Sequence, residues 1–333
     1  MVNQTKVKIG IIGLGMVGTP IKRYFEELRG YQRGKNLFCY DIDPKKGFFD
    51  DVDQADVIFV CVPTPNGPGG KFNISAVKAA LDMIKEEGKV VVIKSTILPS
   101  STVRFQKDYP KLKIVFNPEF LTESQAWMDF IRPDRQIVGY TKKSMDASLA
   151  VLSLLPQAPY MTPWGYGCYA SNRASATEAE MSKMAANVFG ATKVTFGNIL
   201  ADVAFALKNY LQQNGLEADV DYDNVRKIIS ADHRIGASWL DVGYGDYNGF
   251  GGYCFPKDLK SFICFFDDLV VTAKKNKKNA DLVSCLESGK KVFEAIWTYN
   301  EALLKAQNLT VADVSQHDKD IIFQKKKVIR QKS

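Results

Sequence analysis

The stretch VKIGIIGLGMVGTPIKRYF constrains this chain more than any other. An apolar, strand-like run ends at Gly13-Leu14-Gly15-Met16-Val17-Gly18, and a helical pattern begins at once. The alternation continues downstream: LFCYD, DVIFVCV, KVVVIKS, LKIVF and RQIVGY read as strands, ISAVKAALDMIKEEG and KKSMDASLAVLSLLP as helices. Strands alternating with amphipathic helices imply an α/β fold built on a doubly wound parallel sheet of the Rossmann type. The glycine pattern alone is weak. Placed between a strand and a helix, with a second strand ending at Asp41, 23 residues past Gly18, it has the arrangement dinucleotide binding requires. Gly13 permits the tight turn, Gly15 lets the backbone approach a pyrophosphate, and Gly18 lets the helix pack close to the strand. Asp41 is expected to accept the adenosine ribose hydroxyls and repel a 2′-phosphate, favouring NAD over NADP. Lys45 and Lys46 nearby soften that preference.

Two further loops follow strand ends, VPTPNGPGG and KSTILPSST. Ligands of open α/β sheets bind outside the carboxyl ends of the strands, so Thr64, Ser95 and Thr96 are expected to face the cofactor. After about residue 165 the pattern changes. PWGYGCYASNRASA (163–176) reads as a linker, and apolar residues from Met181 to Leu207 then recur at three- and four-residue steps. One helix of roughly 35 residues is predicted there, long enough to suggest packing against another helix across a dimer. Lys183 and Asn187 lie four apart on it; by residue type alone they read as a solvated lysine and a surface amide.

The net charge is +7, but Lys325, Lys326, Lys327, Arg330 and Lys332 in the final residues supply most of it. The body therefore gives little reason to expect a nucleic-acid or membrane partner, and the tail reads as a solvated end. No run reads as a membrane span, and MVNQTKVKIGIIG does not read as a signal peptide, which points to the cytoplasm. The six cysteines show no C-x-x-C pair, and there are two histidines, so metal and disulfide frameworks are poor readings. Cys39 and Cys61 sit in strand runs and read as core filler. Cys254, in GFGGYCFPKD, remains open between filler and nucleophile.

GLGMVG, VPTPNG, KSTILP, NPEFLTESQA, PDRQIVG, AEMSKMAANVFGATKVTFGN, DHRIG and GFGGYCFPKD, in that order, together resemble the UDP-glucose/GDP-mannose dehydrogenase family. The likeness runs from about residue 6 to about residue 305. It implies an NAD-binding Rossmann domain (1–165), a linker and long central helix (166–215), and an all-α middle domain for substrate and dimerisation (216–308), followed by a basic tail (309–333). It also implies NAD-dependent, four-electron oxidation of a nucleotide-sugar C6 alcohol to the acid by a homodimer. NPEFLTES, GGYCFPKD and DHRIG favour UDP-glucose. A thiolate suits that chemistry, because it holds the aldehyde between two oxidations.

By the same resemblance, Cys254 is the nucleophile, Lys183 stabilises the developing oxyanion, Asn187 positions the substrate, and Asp258 orders the catalytic water. Glu119 is the base for thioester hydrolysis and Thr96 helps hold its water. Phe120, Leu121, Thr122, Glu123 and Ser124 form the substrate segment, with Glu123 near the nicotinamide amide. Lys257 and Lys46 contact the cofactor, as do Met16 and Val17 in the glycine turn. Arg234 reaches substrate across the dimer, and Gly251 allows close backbone approach. Tyr247, Tyr244 and Trp239 are candidates to stack on base or sugar. The family's third, nucleotide-binding α/β domain is expected to be absent, since the family-like pattern ends near KKVFEAIWTYNEALLKAQ. A nucleotide-sugar or NAD-binding protein with partial or partner-dependent activity is therefore the alternative, and a two-electron dehydrogenase a third reading.

Overall fold

A computed structural model describes residues 6–162, 174–243 and 247–315. Cys168, Tyr244, His317, most of the expected linker and the tail beyond residue 315 lie outside the described residues. The chain divides into two compact units. One comprises residues 1–67 and 72–184, the other residues 68–71 and 185–333.

The first unit holds strands β1 (Ile9–Ile12), β2 (Leu37–Tyr40), β3 (Val57–Val60), β4 (Val90–Ile93) and β5 (Lys113–Phe116) in the parallel order β2-β1-β3-β4-β5. Helices α1 (Gly18–Arg23), α2 (Ser75–Asp82) and α3 (Ser101–Asp108) join consecutive strands of this sheet. Both faces are covered. Ile9, Ile11, Phe59, Val92 and Val115 belong to one core, Ile12, Ile58, Ile93 and Phe116 to another. That is why these strands read as unbroken apolar runs rather than as alternating ones. The strand order reverses direction between β1 and β3, and the glycine turn follows β1 at this switch point.

RQIVGY, read as a single strand, is split. After α4 (Ala126–Ile131), β6 (Arg135–Ile137) pairs with β8 (Tyr160–Thr162), while β7 (Gly139–Tyr140) adds antiparallel to β5. Helix α5 (Met145–Leu154) lies between β7 and β8 in the chain. A Cβ on Gly139 would stand 2.6 Å from the Ala179 Cβ, so the chain turns there beneath the start of the next helix.

That helix, α6, runs 38 residues from Ala176 to Gln213. The boundary between the units falls inside this helix, between Met184 and Ala185. The reason is local: Glu180 and Lys183 bond to first-unit groups, whereas Gly190 lies so close to the Phe255 ring that a Cβ would meet it at 2.5 Å. Residues 68–71 join the second unit through Lys71, paired with Asp268, and through the carbonyls of Gly69 and Gly70.

The second unit continues with α7 (Tyr222–Ser230), α8 (Phe255–Lys274), α9 (Ala280–Lys305) and α10 (Val311–Val314). Val188, Ala191, Phe250, Leu259, Ile263 and Ile296 form its core. Helix α6 also contains a window long and apolar enough to cross a membrane by length and composition alone, a stretch that the sequence reading passed over; a third of that window is buried.

Candidate active site

In the first unit the glycine turn has the geometry its residues require. Gly13 adopts φ +92°, and a Cβ there would meet the Cys61 carbonyl oxygen at 2.7 Å. A Cβ on Gly18 would stand 1.9 Å from the Gly13 oxygen, whereas nothing lies within 4 Å of one on Gly15. The turn is thus packed tight on one side and open at Gly15, and it fits a dinucleotide backbone approaching there.

Asp41 sits at the end of β2 and accepts from the Leu14 N–H at 2.6 Å, the Asp43 N–H at 2.9 Å and Lys46 Nζ at 2.9 Å. Burial pushes its carboxyl up, but these donors outweigh burial and hold it below its usual value. Lys46 also donates to the Leu14 carbonyl, so Asp41 and Lys46 clasp the turn that carries Met16 and Val17. Thr64 and Ser95 are buried. The Thr64 hydroxyl donates to the Thr96 carbonyl at 2.7 Å and the Ser95 hydroxyl to the Val62 carbonyl at 2.6 Å, which staples the ends of β3 and β4 together.

Beyond β4 and β5 lies a buried charged group. Lys183 Nζ stands 2.9 Å from Glu119 Oε1, and the side chains are only 4% and 5% exposed. The solvated reading of Lys183 by residue type does not hold. Glu119 Oε2 accepts from the Leu121 N–H at 2.8 Å. Burial raises the Glu119 carboxyl, and Lys183, this amide and Lys94 together bring it below its ordinary value. The Phe120 ring lies 5.3 Å from Lys183 Nζ and 3.7 Å from the Arg135 guanidinium. Leu121 and Glu123 are half-buried, and Thr122 and Ser124 are exposed. Thr96 is buried.

The second unit holds the other candidates. Cys254 immediately precedes α8 and is half-buried. One turn on, Asp258 is fully buried; it accepts from Asn187 Nδ2 at 2.5 Å and from Lys257 Nζ at 2.5 Å. Its N–H bonds the Cys254 carbonyl, so the cysteine and the carboxylate share one helical turn. Asn187 is therefore a partner of Asp258 rather than a surface amide. Tyr247 is half-buried, with its hydroxyl 2.1 Å from where a Cβ on Gly251 would stand. Arg234 is exposed and its guanidinium is chelated by Asp232. Trp239 is exposed, edge-on to Phe255.

Residues 48–153 match the NAD-binding domain, and residues 177–281 the central domain, of the UDP-glucose/GDP-mannose dehydrogenase family. The chain belongs to this family. As a family member it carries the NAD-binding domain, in keeping with the open face at Gly15 and the Asp41–Lys46 clasp. It is 28% identical over 305 residues to a UDP-glucose 6-dehydrogenase of Haloferax volcanii, covering 77% of this chain and 65% of that one. It is 32% identical over 223 residues to a UDP-glucose 6-dehydrogenase of Pseudomonas aeruginosa, covering 63% of this chain and 44% of the relative. The chain thus spans between about half and two thirds of the length of these curated relatives. Among solved structures, a UDP-glucose dehydrogenase from Pyrobaculum islandicum has the same fold, with a TM-score of 0.66, 24% identity, and coverage of 92% of this chain and 72% of that one.

Several residues that shape this dehydrogenase-family site escaped the sequence reading. Lys94, in KVVVIKS, is fully buried and donates to Asn117 Oδ1 at 2.8 Å. A lysine directly after an unbroken apolar run was itself the available signal. Burial pushes the Lys94 ammonium down to about 8. Glu180, also fully buried, accepts from the Ser100 N–H at 2.6 Å and the Thr102 N–H at 2.7 Å and so caps α3 from a distance in sequence that no local motif reveals.

Proposed function

We propose that the protein oxidises the C6 alcohol of a nucleotide sugar to the acid in two NAD-dependent steps, with UDP-glucose as substrate and UDP-glucuronate as product. The observation carrying this reading is the buried Lys183–Glu119 pair, together with Cys254 one turn before an Asp258 that is itself bonded to Asn187. Family membership and the similarity to UDP-glucose 6-dehydrogenases support it.

Bound NAD supplies the acceptor for two electrons and one hydrogen nucleus in each oxidation. The chain's residues manage the rest. Lys183 stabilises the alkoxide as the C6 hydroxyl loses its proton. The Cys254 thiolate then adds to the aldehyde carbon, forming a C–S bond and a thiohemiacetal. Its oxidation leaves a thioester. Water, polarised by Glu119 and held with the help of Thr96 and Asp258, attacks the acyl carbon, the C–S bond breaks, and the thiolate returns as the acid leaves. Asn187 positions the sugar. Phe120 to Ser124, Arg234, Tyr247 and Gly251 hold the nucleotide sugar, and Asp41, Lys46, Glu123 and Lys257 the cofactor.

We place a second copy of this chain along α6, where Phe189, Phe196, Val203, Phe205 and Tyr210 are exposed. Light scattering of the purified protein at several concentrations tests this, and a monomer throughout removes it. For the activity, the test is NADH release with UDP-glucose, and GDP-mannose in parallel, scored per sugar consumed. Two NADH per UDP-glucose, abolished in Cys254→Ala, is the expected result. One NADH per sugar means a two-electron enzyme. NAD binding without turnover of either sugar overturns the proposal in favour of a binding protein.

A further inference from the structure

The segment leading to Cys254 is held in an unusual way. Asn248 N–H donates to Gln307 Oε1 at 2.8 Å, and Gln307 Nε2 donates back to the Asn248 carbonyl at 2.9 Å. Two residues on, Phe250 N–H donates to Asn300 Oδ1 at 2.8 Å, and Asn300 Nδ2 returns to the Phe250 carbonyl at 3.1 Å. Two residues further, Gly252 N–H donates to the Val314 carbonyl at 2.7 Å.

Alternate residues therefore bond through their backbone groups to the same neighbour, along a segment bent by Gly249 at φ +106° and Gly252 at φ +72°. The neighbour here is not a strand. It is a pair of primary amides seven residues apart, one on α9 and one just past its end, followed by a carbonyl of α10. A primary amide carries an acceptor and a donor in one plane, so each of these side chains serves both backbone groups of one residue. Asn300 is 1% exposed, and Gly249 approaches it so closely that a Cβ would stand 2.6 Å from its Oδ1. The Phe250 ring is buried in the core of this unit. Gln307 is fixed in turn, since Nε2 also donates to the Leu303 carbonyl at 2.8 Å. The Thr310–Asp313 capping box sets the turn that delivers Val314.

We propose that Asn300 and Gln307 are positioning residues for the nucleophile: they fix the bent path of residues 248–252 and so set where Cys254 stands at the start of α8. This rests on Cys254 being the nucleophile. The two amides act through the loop and not on substrate. Replacing Asn300 by Asp keeps the shape but places an acceptor against the Phe250 carbonyl, which breaks the reciprocal pair. Gln307→Glu does the same at Asn248, at a less buried position.

The experiment compares Asn300→Asp, Gln307→Glu and the parent protein by three readouts. The first is the rate at which iodoacetamide modifies Cys254, followed by peptide mass spectrometry with the exposed Cys285 as internal standard. The second is kcat and KM for UDP-glucose and NAD. The third is Tm. A displacement of about 1 Å at a reacting atom is enough to cost one to two orders of magnitude in rate. We expect Cys254 modification to become about tenfold faster as the loop loosens, and kcat to fall about tenfold with KM for NAD unchanged, in a variant that still melts cooperatively. If folded Gln307→Glu and Asn300→Asp both keep Cys254 modification within about twofold of the parent, the inference is wrong whatever the activity. If the parent shows no Cys254-dependent turnover, the functional reading fails, and the modification rates still decide whether the amides hold the loop.

Discussion

Lys183 Nζ lies 2.9 Å from Glu119 Oε1, with both side chains almost completely withdrawn from water. Two opposite charges buried together tolerate replacement as a pair far better than loss of one member. Lys183→Met should cost about 3 kcal/mol because it strands the Glu119 carboxylate, whereas Lys183→Met with Glu119→Leu should recover most of that loss. Urea denaturation of the single and double variants measures it, and equal losses in both would mean that the pair is not coupled.

Lys94 has the opposite character, a buried ammonium that donates to the neutral Asn117 rather than to a carboxylate among the described residues. Burial lowers it to about 8, against the pull of the Cys61 and Glu119 groups and with the repulsion of Lys183. Between about pH 8 and 10.5 the unfolded chain carries this proton and the folded chain does not, so stability contributed by this group rises with pH across that window. Below pH 8 the folded state bears the whole penalty. Lys94→Met should therefore gain about 2 kcal/mol at pH 7, after allowing for the lost bond to Asn117, and that advantage should shrink toward pH 10. Melting curves at pH 7, 8.5 and 10 test both the sign and the window.

Glu180 caps α3 through the Ser100 and Thr102 N–H groups. Burial raises its carboxyl to about 7 in spite of these donors. Between about pH 4.5 and 7 the folded chain holds a proton that the unfolded chain has released, so this group's contribution to stability falls as pH rises through that range. Glu180→Ala strips this acceptor from the buried Thr102 N–H and the part-buried Ser100 N–H and should cost about 2 kcal/mol at pH 5. A loss below about 0.5 kcal/mol in chemical denaturation would mean that water replaces the carboxylate.

Gly15 and Gly18 should separate binding from folding. Gly15→Ala meets no atom and should keep the parent Tm while weakening NAD at least tenfold, because its methyl group stands where the pyrophosphate must approach. Gly18→Ala drives a Cβ to 1.9 Å from the Gly13 oxygen and should yield little folded protein. Calorimetric titration with NAD and thermal melting read the two effects, and unchanged NAD affinity in Gly15→Ala would place the cofactor elsewhere.

The parallel sheet, the glycine turn and the length of α6 were legible in the chain because each rests on local rules. A strand buried on both faces must be apolar throughout, a turn at φ +92° needs glycine, and a helix repeats every three or four residues. Lys183, Asn187 and Cys254 were visible as residue types, but their roles entered only through family resemblance. Tertiary structure decided the rest. Lys183 is buried because Glu119, 64 residues earlier, meets it. RQIVGY divides between two sheets because Ala179 packs onto Gly139. The loop before Cys254 keeps its path because Asn300 and Gln307 complete its hydrogen bonds from elsewhere in the chain. Contacts between residues far apart in the chain leave no periodic trace, so the same lysine or amide reads as solvated surface until the fold supplies its partner.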